Sequence, residues 1–263
     1  MKVGVLACSL ICIAGMLSGC FGGGNPKGWH DPRYESLMDV GNSVFDLEHL
    51  KPARQQYRAA LDRAFMANNA QAIHDAGFNL ALSELRLKLF QDCLATLQHI
   101  TQALTVRGWT DAQQADLHLI RASVFYEQKQ WQASFAEAER AKQSLEGATQ
   151  AEAYALAGLD AAELRDPSHM DDAIAFLSKS HDGRDQANMK ELLIHRELMD
   201  QQWQRAADDA HNLAQIREEA LHYESMRRAL RMQAQALRAM GQDDAARDLL
   251  QQAVDSQKTH STP

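Results

Sequence analysis

Apolar residues recur along this chain at helical spacing, most clearly between Gly77 and Ile100, GFNLALSELRLKLFQDCLATLQHI. The first half carries two stripes, Phe78/Leu82/Leu85/Leu89 and Leu80/Leu87, and the second half one, Cys93/Leu94/Leu97/Ile100. A helix apolar on two sides must be covered twice and a helix apolar on one side only once. The segment therefore predicts a hairpin of an inner and an outer helix. The pattern returns along the chain. A small residue opens each second helix at Ala53, Cys93, Ser134, Ala173, Ala206 and Ala246, at intervals of 40, 41, 39, 33 and 40, which predicts six hairpins over residues 34–256.

Punctuation supports these divisions. Gly108 and Gly241 are helix stops, and Thr110 with Gln113 three residues on reads as a capping box. Asp166 and Pro167 read as a cap and first helical position, with three extra residues assigned to that turn. Residues 257–263 read as a polar tail.

Leu80, Ala81, Phe90, Cys93, Leu97 and Ile100 stand where the tetratricopeptide repeat places its large, small, aromatic, small, bulky and aliphatic residues, with Glu84 at the family's tyrosine position. The aromatic position recurs as Trp131 and Trp203. The domain thus resembles that family, with helices longer than its usual repeat of about 34 residues. The resemblance implies an all-α, right-handed solenoid of about six antiparallel hairpins.

The first residues follow another pattern. Met1-Lys2, an apolar run over Val3–Leu17 and the small pair Ser18-Gly19 before Cys20 predict a signal peptide over residues 1–19. Leu17-Ser18-Gly19-Cys20 resembles a bacterial lipobox, which implies acylation of Cys20. Phe21, where an inner-membrane lipoprotein commonly has aspartate, implies the periplasmic face of an outer membrane, or the cell membrane where there is none. Residues 20–33, rich in glycine and proline, read as the lipidated cysteine and a tether reaching about 20 Å. Trp29 could pack on the first helix or touch the membrane interface.

Loss of residues 1–19 would remove Lys2, leaving 35 acidic against 26 basic side chains, a net charge of −9. Such a domain is repelled by phosphate backbones and anionic lipid, which argues against a nucleic-acid partner and leaves membrane attachment to the lipid. Cys93 would be the only remaining thiol, so no internal disulfide forms, and its place between helices reads as core.

No zincin, nucleophile-elbow or dinucleotide-binding pattern occurs, and the eleven histidines include no pair four residues apart. The expectation is a non-enzyme without metal or cofactor. Glu84, Asp160 and Glu163 read as solvated or salt-bridged carboxylates. The family's groove-facing positions fall on Phe78, Leu82 and Leu85, on Leu119, Ser123 and Tyr126, on Ala155, Leu159 and Ala162, and on Arg231, Gln235 and Arg238. If open, this groove is apolar in the middle and basic at the end, suited to an amphipathic segment with an acidic residue or terminal carboxylate. The alternative is that longer helices bury the apolar stripe. The expected function is a lipid-anchored scaffold for another envelope protein or peptide, in secretin or pilus, outer-membrane protein or peptidoglycan machinery. A homo-oligomer, or an accessory to an envelope enzyme, is the other reading.

Overall fold

The structure is a computed structural model that describes residues 29–260, with side chains through residue 257. Among these residues it is all-helical, with twelve α-helices in six consecutive hairpins. They are α1 (Pro32–Asp46) with α2 (Leu50–Met66), α3 (Ala70–Arg86) with α4 (Phe90–Val106), and α5 (Ala115–Glu127) with α6 (Trp131–Ala141). There follow α7 (Gly147–Glu163) with α8 (Pro167–Leu177), α9 (Gly183–Met199) with α10 (Trp203–Glu219), and α11 (Tyr223–Ala239) with α12 (Asp243–His260). A short 3-10 turn, Asp111–Gln114, precedes α5. The predicted signal and Cys20 lie outside the described residues.

Two compact units result, one of residues 29–128 with 136–150, the other of residues 129–135 with 151–260. Both use the same local rule. Most helices are 17 residues long and are joined by three-residue turns whose middle residue has positive φ. In the first unit these residues are Glu48, Asn68, Lys88 and Gly108, spaced by 20; Gln201, Leu221 and Gly241 repeat that spacing in the second. The turn closes because the amide after the left-handed residue donates back across it, as Leu89 N does to Glu84 O at 2.9 Å and His222 N to Arg217 O at 2.8 Å. A hairpin therefore takes 40 residues, which adds about one helical turn to each helix of the usual repeat.

Caps fix the helix starts. Thr110 and Gln113 form the predicted reciprocal box, and Asp166 accepts from Ser168 N at 3.1 Å with Pro167 first in α8. Asp31 was not foreseen as a cap. Its carboxylate accepts from Arg33 N and Tyr34 N at 2.9 and 3.0 Å, Pro32 opens α1, and Arg63 pairs with the same carboxylate at 2.6 Å. Trp29 packs edge-on against Tyr34 at 5.0 Å. Residues 29–33 thus belong to the fold rather than to the tether, and α12 continues past Ser256 to His260.

The expected insertion beside Asp166 is absent, since Arg165 occupies the left-handed place of an ordinary three-residue turn. The irregular intervals arise because α6 and α8 have only 11 residues. The residue opening α8 is Met170, fully buried at the fourth helical position that Ala53, Cys93, Ser134, Ala206 and Ala246 hold elsewhere. Close helix approach depends on glycine at three places. A Cβ on Gly158, for example, would lie 2.5 Å from Leu192 Cδ1 and 2.9 Å from Ala173 Cβ.

Candidate binding site

Leu82, Leu85, Leu119, Tyr126 and Leu159 are only 4–7% exposed, and Phe78 is half-buried against His74. The apolar stripe is therefore interior, and an open apolar groove is corrected to a buried one. Cys93 is likewise interior. Its thiol donates to Ala81 O at 3.2 Å, and burial pushes it up to about 12.

The basic positions behave differently. Arg231 is half-buried and Arg238 is exposed, with Gln235 exposed between them. With Arg228 they follow one another along a single face of α11. This face belongs to a network that the sequence did not announce. Glu191 of α9 is 1% exposed, yet it accepts from Arg228 Nε at 2.6 Å and Nη2 at 3.1 Å, and from Arg217 Nη2 at 3.4 Å. Arg217, itself 2% exposed, also donates to Asn188 Oδ1 at 2.6 Å. Burial alone would raise the Glu191 carboxyl, but Arg228 and Arg217 hold it below the usual carboxylate range.

Around this core, Arg227 pairs with Glu224 at 2.7 Å, and Arg184 with Glu152 at 3.1 Å. Burial raises the Glu152 carboxyl although Arg184 opposes it. Arg184, Arg217, Arg227, Arg228 and Arg231 thus face Glu152, Asp185, Glu191 and Glu224, a local excess of one positive charge in a chain of net charge −8. Arg231 carries that excess outward. Burial lowers its pKa, Glu224 opposes the shift, and Arg227 and Arg228 add to it. Among the described residues no carboxylate lies within ion-pair distance of it. Arg238 reaches only Asp243, at 3.9 Å. A partly dehydrated guanidinium without its own counter-ion favours an anionic group brought by a ligand.

Glu84 and Asp160 are fully buried. Glu84 is salt-bridged by Arg54 and Arg58 at 2.9 and 2.8 Å and accepts from Thr96 at 2.7 Å. Asp160 accepts from Ser134 Oγ at 2.7 Å, and burial pushes its carboxyl up to about 8. Neither presents itself to solvent. His74 lies between Asp75 and Asp116, whose hydrogen bonds overcome burial and raise it to about 10. Among the described residues no cluster of histidine, cysteine and carboxylate has the grouping a metal needs, and no helix is long and apolar enough to cross a membrane.

No family model matches the chain, and no curated protein does. Solved structures do. A tetratricopeptide repeat protein from Parabacteroides merdae matches with TM-score 0.58 and 18% identity over 89% of this chain and 82% of its own. The apo form of the quorum sensor NprR from B. thuringiensis matches with TM-score 0.69 and 14% identity, over 87% of this chain and 66% of its own. At these identities the likeness is one of fold, a tetratricopeptide-like array of helical hairpins.

Proposed function

We propose that this chain is a lipid-anchored scaffold of the cell envelope that holds another envelope protein by an anionic segment. The observation that carries the reading is Arg231, half-buried and flanked by Arg227 and Arg228, with no described carboxylate within ion-pair distance. A partner's acidic side chain or terminal carboxylate meets that charge as an ion pair, and Arg238 lies two turns farther along the same face of α11 for a second anion. The helical-hairpin fold supports a protein-binding role, because stacked hairpins offer extended surfaces to peptides and other proteins. The lipobox-like residues before Cys20 support the anchor, and Phe21 supports the periplasmic face of an outer membrane.

Two measurements test the two halves. Labelled palmitate fed to cells is expected in the wild-type chain and absent from Cys20→Ala; incorporation in neither removes the anchor. Affinity capture from native membranes is expected to retain the partner with Arg231→Lys and lose it with Arg231→Glu, with circular dichroism unchanged. Equal capture by both variants removes the anion-docking role.

A further inference from the structure

The three most exposed large apolar side chains among the described residues are Leu145, Val106 and Met66, at 88, 81 and 75%. All belong to the first unit, and all sit where an outer helix ends. Met66 and Val106 are the last residues of α2 and α4, and Leu145 lies in the turn after α6. Antiparallel hairpins bring those ends to one edge, and side-chain bonds run along it. Arg63 of α2 pairs with Asp31 at the start of α1, Arg107 after α4 donates to Asn68 after α2 at 3.1 Å, and Arg140 of α6 reaches Asp111 at 3.0 Å. Phe65 and His99 stack at 4.6 Å between α2 and α4.

Two tryptophans stand at the same edge, each half-buried. Trp29 rests on Tyr34, and Trp109 stacks on His74 at 4.9 Å. Rings of this kind, apolar in body and polar at the tip, suit a membrane interface. Charged side chains also stand at this edge, with exposed Glu146 next to Leu145 and Asp75 and Asp116 beside His74. Asp31 and Asp111 are paired, while Arg107 spends its donors on the neutral Asn68 amide and the Ala103 carbonyl and keeps its charge.

We propose that this edge lies on the membrane, with Met66, Val106 and Leu145 entering the lipid headgroup region. The proposal rests on the acyl-anchor reading of Cys20. What selects lipid as the occupant is where the anchor enters the fold. Trp29 stands at this edge nine residues after Cys20, so the acylated residue lies at most about 30 Å away. The opposite edge, with Leu47 and Leu89, is farther by a 17-residue helix, about 25 Å. The chain's net charge of −8 opposes attraction to anionic lipid, so apolar insertion beside the anchor supplies the second contact.

The test uses the full acylated chain bound to vesicles of phosphatidylethanolamine and phosphatidylglycerol. Single variants Met66→Cys, Val106→Cys, Leu145→Cys and Leu47→Cys carry an environment-sensitive dye; buried Cys93 does not compete for it. The expected result is a blue shift and quenching by spin-labelled lipid at residues 66, 106 and 145, and neither at residue 47. Chains that float with vesicles while the three edge dyes report water, or while all four respond alike, overturn the docked edge and leave the anchor standing. Chains that do not float overturn the anchor and the edge with it.

Discussion

Replacing Glu191 by glutamine tests the network beneath the proposed site. The substitution keeps the shape of the side chain and removes the one negative charge between Arg217 and Arg228. Both guanidiniums are poorly placed to recover water, because Arg217 is 2% exposed and the Arg228 side chain 12%. Breaking a buried pair by deleting one partner costs about 3–5 kcal/mol, whereas an exposed pair contributes little. The internal control is Asp244→Asn, whose partner Arg247 and own side chain are 73 and 93% exposed and whose loss should not be measurable. Urea denaturation followed by circular dichroism reads both. The wild-type carboxyl is held low, so its contribution is complete above the ordinary carboxylate range and fades as pH falls through the lowered folded value. Glu191→Gln should therefore lose stability at neutral pH and lose little more on acidification. A cost below about 1 kcal/mol would refute a buried, charge-compensated triad.

Asp160 titrates in the opposite sense. Its folded value of about 8 exceeds its unfolded one, so the folded state binds the proton and stability falls as pH rises toward 8; Asp160→Asn should flatten that slope in unfolding curves taken across pH. Leu221, 68% exposed with φ 58°, occupies a left-handed turn position, and Leu221→Gly should raise the unfolding free energy from urea denaturation by about 0.5–1 kcal/mol. Gly158→Ala meets Leu192 and Ala173; overpacking should outweigh the gain in helix propensity and cost about 1 kcal/mol. Gly147→Ala meets nothing within 4 Å and should not be destabilising, as thermal unfolding of the pair would show.

The hairpins were readable from the sequence because each carries its apolar stripes and its caps within a few residues, as Thr110 with Gln113 and Asp166 with Pro167 do. The turns were harder. Glu48, Lys88 and Lys129 take left-handed conformations without being glycine, imposed by the two helices each must join. Glu84 read as solvated or salt-bridged without its partners being named, because Arg54 and Arg58 stand 30 and 26 residues earlier, on the preceding hairpin. Glu191 was missed for the same reason, with Arg217 and Arg228 lying 26 and 37 residues later. A search for opposite charges on inner helices at separations near one hairpin would have found both. Burial of Leu82 and Leu119 was stated only as an alternative, since periodicity fixes the face of a helix and not the length over which its neighbour covers it.

The most direct measurement is photocrosslinking in native membranes from Gln235, exposed on α11 between Arg231 and Arg238. The account predicts one dominant foreign envelope protein, crosslinked through an acidic segment or its carboxyl terminus, retained with Arg231→Lys and lost with Arg231→Glu. Crosslinks only between copies of this chain, or a foreign crosslink unchanged by Arg231→Glu, would contradict it.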